Sequence, residues 1–130
     1  MRHRDSAALA PLHFALEPLL VMRRYECAQA RSNLGACTRK LNEAVEALQQ
    51  THVHLYGAAN MPPLRRIFER DYAQRHAHLP ELEQSVRTGR EQFVRANSAY
   101  QAIASLRDRR AAEHRRKRAL AEERRLEELR

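Results

Sequence analysis

Tryptophan is absent from this 130-residue chain, glycine occurs three times, and aromatic residues make up only 5% of it. A broad globular core or a β-rich fold needs more aromatic, β-branched and turn-forming residues than that. There is no Gly-rich phosphate loop, no nucleophile elbow, no HExxH and no Cys–His zinc spacing. The chain therefore reads as a non-enzyme without cofactor or metal. Its two cysteines, Cys27 and Cys37, stand ten residues apart. In a helix that is a rise of about 15 Å, beyond disulfide reach, so both read as small buried apolar residues in a reducing compartment. No stretch approaches the ~20 apolar residues of a membrane span. The apolar run from Leu9 to Met22 is interrupted by His13, Glu17 and two prolines, and no small-residue cleavage site follows it. No secretory signal is expected, and the chain reads as soluble and cytoplasmic.

Charge and helix formers are abundant instead. Charged residues are 31% of the chain and the formal net charge is +8. Ala, Leu, Glu, Gln and Arg dominate, the residues of long helices. A positive field favours nucleic acid, an anionic membrane or an acidic protein surface. A membrane-surface helix would need a bulky apolar face opposite its arginines, which this chain lacks.

The apolar residues fall into heptads. Leu20, Cys27, Leu34, Leu41, Leu48 and Leu55 recur at seven-residue steps, interleaved with Leu9, Leu16, Arg23, Ala30, Cys37, Ala44 and Thr51. A repeat of seven keeps side chains on one slowly drifting helical stripe, and large residues beside small ones suit a close coiled-coil seam. Gly35 within this run costs roughly 1 kcal/mol against Ala, which a close interhelix contact would offset. The segment from Gly57 to Pro63 is the breaker cluster. A second stripe follows, with Tyr72, Leu79, Val86, Phe93 and Tyr100 in one series and Phe68, Arg75, Leu82, Gly89, Ala96 and Ile103 in the other.

Folding the stripes against each other antiparallel places Leu34 on Gly89, Ala30 on Phe93, Cys37 on Val86, Leu41 on Leu82, Ala44 on Leu79 and Leu20 on Ile103. Large residues then mostly meet small ones. Leu48 opposite Arg75 is a poor pair. Two prolines test the helix boundaries, since proline removes a backbone donor and clashes one turn back. Pro18 is expected to kink a helix that starts earlier, and Pro80 to separate a short hinge helix from a long one. The expected fold class is all-α: one domain, 1–130, forming an antiparallel two-helix coiled-coil hairpin with a short hinge helix and a projecting basic C-terminal helix. Helix one spans about 12–56, the hinge and short helix about 57–79, and the long helix about 80–126.

Past Leu106 the seam fades. Residues 107–118 hold seven basic and two acidic residues, and 119–130 hold three basic and four acidic. Glu113 is spaced to pair with Lys117 one turn on. Leu120, Leu126 and Leu129 have no evident burying partner within the monomer. The histidine pairs His52–x–His54 and His76–x–His78 flank the hinge. Residues two apart on a helix diverge by about 200°, so neither pair chelates, and both read as surface or hinge histidines.

The chain, with its Tyr-containing first helix (RRYECAQA), Arg-rich second helix and closing LRDRRAAEHRRKRALAEERRLEEL, resembles the flagellar FliJ and type III secretion YscO/SctO family over nearly its whole length. The resemblance implies a central-stalk protein of an export ATPase, similar in fold to the coiled coil of the rotary-ATPase γ subunit. It implies that the helical ends enter a hexameric ATPase through the N-terminal turn and Arg107, Arg109, Arg110, Arg115, Arg116, Lys117, Arg118, Arg124 and Arg125. It also implies an export-gate surface near the hinge, at Phe68, Tyr72 and Leu79, and contact with secretion chaperones. The location implied is the bacterial cytoplasm, peripheral to the secretion apparatus, and the shortness and Pro80 lean toward a virulence system over a flagellar one. Two alternatives stand beside it: a basic coiled coil that binds nucleic acid, and a homo-oligomeric scaffold. Against nucleic acid, acidic residues interrupt the arginines and no Asn or aromatic reader stands among them.

Overall fold

The computed structural model describes residues 13–130. Among them there is no strand; two long helices pack against each other. Helix α1 is Glu17–Gly57, 41 residues, and helix α2 is Pro62–Glu128, 67 residues.

The start of α1 differs from expectation. Residues 13–16 are not helical, and the helix begins one residue before Pro18. There the missing N–H is one that no intrahelical acceptor awaits, so no kink is needed. The Glu17 amide donates to the Phe14 carbonyl at 3.0 Å, and the Leu20 amide to Leu16 at 2.9 Å, closing the first turns. Glu17 also places a carboxylate where the helix dipole is positive. The expectations for residues 1–12, fraying and a start near Pro11, lie outside the described residues.

Four residues, Ala58 to Met61, connect the helices. The Ala58 amide donates to His54 and the Met61 amide to Ala58, so the turn closes on its own backbone, and Ala58 is buried. No glycine here has a positive φ. Pro62 and Pro63 open α2, in positions whose amides would be unpaired in any case.

The separate hinge helix expected before Pro80 is not formed. Helix α2 runs through that proline without interruption. Pro80 and His76, one turn back, are both exposed, so water can satisfy the freed carbonyl. The cost of about 3 kcal/mol for an interior proline is spread over a very long helix.

Contacts divide the chain into two compact units, one of Glu26–Ala96 and one of Met1–Tyr25 with Asn97–Arg130. Within the first, Leu34 lies against Gly89: a Cβ built on that glycine would sit 3.5 Å from the Leu34 Cα and Cδ1. A Cβ at Gly35 would meet nothing within 4 Å, so no close interhelix contact offsets the helix cost of that glycine. Ala30 is buried, and the Arg31 guanidinium lies 5.6 Å from the centre of the Phe93 ring. In the second unit Arg24 lies 5.7 Å from the Tyr100 ring centre, seven residues from Arg31 just as Tyr100 is seven from Phe93. Each such contact adds roughly 0.5–1 kcal/mol at an exposed site and shields the ring from water.

Both heptad stripes are buried or half-buried at every described position except Arg75. Among the described residues only Leu20, at 0% exposure, is a large side chain wholly withdrawn from water. Two helices cannot enclose a seam from all sides, so most of its leucines keep an open flank. Small residues therefore make up most of the fully buried set: Ala30, Ala58, Gly89 and Ala104.

Candidate protein-binding surfaces

The half of α2 next to the turn is organised around seam-edge polar groups. Thr51 occupies a seam position and is 5% exposed. Its hydroxyl turns back to the Ala47 carbonyl at 3.0 Å and reaches Asp71 Oδ2 at 3.3 Å. Arg75 Nε lies 3.2 Å from both Asp71 oxygens. This explains how Arg75 escapes an apolar partner: it leaves the seam, stays exposed, and neutralises the carboxylate that Thr51 approaches. The register that sets Leu41 on Leu82 would put Asp71 opposite His52; Thr51, one residue earlier, engages it instead.

The three residues assigned to a gate contact stand in or beside this seam. Phe68 is half-buried with the His54 ring 5.5 Å away. Tyr72 is half-buried between His52 and His76, each 6.0 Å from it by ring centre. Leu79 is half-buried as well. His78 takes an exposed pairing with Glu81, Nδ1 to Oε2 at 3.1 Å. Among the described residues no group of three or more His, Cys, Asp or Glu is placed to hold a metal ion.

The apolar side chains that do face solvent near the turn are others: Val53, Tyr56, Met61, Leu64 and Ile67. Val53 and Gln49 line two shallow concavities, of about 320 and 380 Å³. Leu64 and Ile67 stand four and one residues before Phe68. Their spacing puts them on one helical face with it, a signal present in the sequence but hidden by attention to the heptad positions.

The basic end of α2 is arranged differently. Arg107 is half-buried and its Nε is 3.8 Å from Asp108 Oδ1. Arg110 lies over Phe14, 5.6 Å from the ring centre, and Phe14 is buried although it precedes α1. Arg109, Arg115, Arg116, Lys117, Arg118, Arg124 and Arg125 are exposed and have no ion pair among the described residues. The expected Glu113–Lys117 pair is not made. Residues 115–130 are exposed throughout except Ala121, and Leu120, Leu126 and Leu129 are uncovered. Of the nine cations assigned to a partner, Arg110 is thus committed within the chain, Arg107 is partly so, and seven are open. His114, in the same run, has its Nε2 enclosed without a hydrogen-bond partner.

No described helix is long and apolar enough to cross a membrane. Comparison with protein-family models, curated proteins and solved structures finds no match for this chain. The class defined by fold and surface is a two-helix protein with a bare, charged helical end.

Proposed function

We propose that this chain is a non-enzymatic stalk or adaptor of a type III protein secretion system, placing its helical end in a hexameric export ATPase and linking that ATPase to an export-gate protein. One observation carries the reading. Helix α2 continues for 67 residues against 41 in α1, and its last stretch presents seven open cations with almost no buried side chain. A helix whose end neither packs nor pairs its charges is suited to an acidic or carbonyl-lined cavity in another protein, where desolvated guanidinium groups bond most strongly. The proposed architecture is an antiparallel coiled-coil hairpin. In one unit 31 meets 93, 34 meets 89, 51 meets 71 and 54 meets 68; in the other 14 meets 110 and 24 meets 100. In both, numbers fall on α2 as they rise through α1 and the residues just before it, in support of that direction. The proposal includes a cytoplasmic location at the base of the apparatus, with Phe68, Tyr72 and Leu79 contributing to the gate contact.

The deciding experiment is co-purification with the secretion ATPase of the same genome, together with its ATPase rate in the presence of the chain. Binding and stimulation are expected. Charge reversal at Arg109, Arg116 and Arg118 is expected to weaken both without changing the thermal melt; Arg110 is left intact because it holds Phe14. Undiminished binding by that triple variant would remove the tail from the interface. The unpaired cations equally favour a second reading, nucleic-acid binding. Its signature is affinity for duplex DNA that falls steeply between low and moderate salt. Absence of binding at low salt disposes of it.

A further inference from the structure

The first turns of α2 carry a second surface, separate from the tail. Leu64, Ile67 and Phe68 share a helical face, and Ile67 is 63% exposed. Arg66 and Arg70, one turn apart, border Ile67 on the neighbouring stripe. Both carboxylates of this segment are already occupied, Glu69 by Arg65 at 2.9 Å and Asp71 by Arg75 and Thr51. Arg66 and Arg70 have no hydrogen bond or ion pair among the described residues, and both are exposed. An exposed apolar ridge edged by two uncompensated cations is left over from the fold. Phe68 turns one edge of the ridge toward His54, while Ile67 and much of Leu64 stay open to solvent.

From this we infer that Leu64, Ile67, Arg66 and Arg70 form a docking surface for an acidic amphipathic helix of another protein. The apolar ridge fits the i, i+3, i+4 anchors of such a helix, and the two guanidinium groups fit carboxylates along its edge. A second copy of this chain is the wrong occupant. It would bring Arg66 and Arg70 of both copies together, within molecules that each carry a net charge of +8. The inference does not depend on the secretion reading, since Leu64, Ile67, Arg66 and Arg70 are assigned neither to the tail nor to the gate contact.

Two labelled helical peptides of about 18 residues test it, with leucine at the same i, i+3, i+4 and i+7 positions and either glutamate or lysine elsewhere. Binding to the full chain is followed by fluorescence anisotropy at physiological ionic strength, where non-specific attraction to the overall charge is screened. The glutamate peptide is expected to bind and the lysine peptide not. Ile67→Ser is expected to weaken binding at least ~10-fold, and Arg66→Glu with Arg70→Glu to abolish it, both with unchanged melting curves because these side chains are exposed. Charge reversal at Arg109, Arg116 and Arg118 is expected to leave it intact. Failure of the glutamate peptide to bind would overturn the surface, as would equal binding by Ile67→Ser. Sedimentation showing self-association of the free chain that Ile67→Ser removes would replace the acidic partner with a second copy.

Discussion

The first turns of α2 and its last turns are written in nearly the same alphabet of Arg, Glu and Leu, and they come to opposite ends. Near the turn, Arg65 pairs with Glu69, Arg75 with Asp71, and α1 supplies Thr51, His52 and His54 to meet the opposing side chains. From Arg115 onward there is no described pair at all, although Glu and Arg recur at helical spacing. Propensity makes both stretches helical. For Asp71 and Arg75 the difference lies in the facing side chain of Thr51; Arg65 and Glu69 pair without one, each about half exposed. A charged residue held by a neighbouring helix has few rotamers left to lose in pairing, whereas on a bare helix the entropy of fixing two long side chains cancels most of an exposed ion pair.

Substitutions at seven positions would break or sharpen that contrast. The largest effect is expected at Leu20, a large side chain wholly enclosed. Leu20→Ala should cost about 2–5 kcal/mol in urea unfolding, while Leu126→Ala on the uncovered end should stay within about 0.5 kcal/mol. Equal losses at the two sites would mean that the tail is packed after all. Next is Pro80→Ala, which restores one donor to an exposed helix interior and should raise stability by up to ~3 kcal/mol. A fall in melting temperature would show that the proline is needed where it stands.

Thr51→Val should destabilise by roughly 1–2 kcal/mol, since Asp71 then loses its buried partner. Asp71→Ala should cost less in that background than in the parent chain, a coupling that a double-mutant cycle reads directly. The smallest gain is expected at Gly35→Ala, about 1 kcal/mol of stabilisation, because a Cβ there touches nothing. Gly89→Leu serves as its opposite: the site can accept a methyl group, but a longer side chain would collide with Leu34.

The seam could be read from sequence because a seven-residue period leaves a stripe that only a helix explains. Leu34 facing Gly89 follows from matching large residues to small. Other features were out of reach for identifiable reasons. A proline is scored by its local cost, yet whether a helix survives one depends on the solvent exposure of that face, as at Pro80 and His76. Helix α1 begins at Glu17, where Pro18 falls in the first turn and costs no hydrogen bond, and apolar spacing from Leu9 to Leu20 conceals that. Phe93 and Tyr100 stand at heptad positions, but the arginines that clasp them, Arg31 and Arg24, lie beside the stripe, as do Arg110 and Phe14. The outward face at Leu64 and Ile67 was legible as spacing, but its exposure depends on how the turn closes. The open cations of the tail were visible as composition; their lack of pairs was not.

The uninterrupted passage of α2 through Pro80 has a mechanical consequence. Every other interior residue of that helix ties its amide to the carbonyl one turn back, but at residue 80 that tie is absent. Bending the helix open on that side ruptures one bond fewer than anywhere else along its length. A helix that lacks one such tie bends at lower cost around residues 76–80 than elsewhere along its length. The proline leaves the helix whole while fixing the place where it yields.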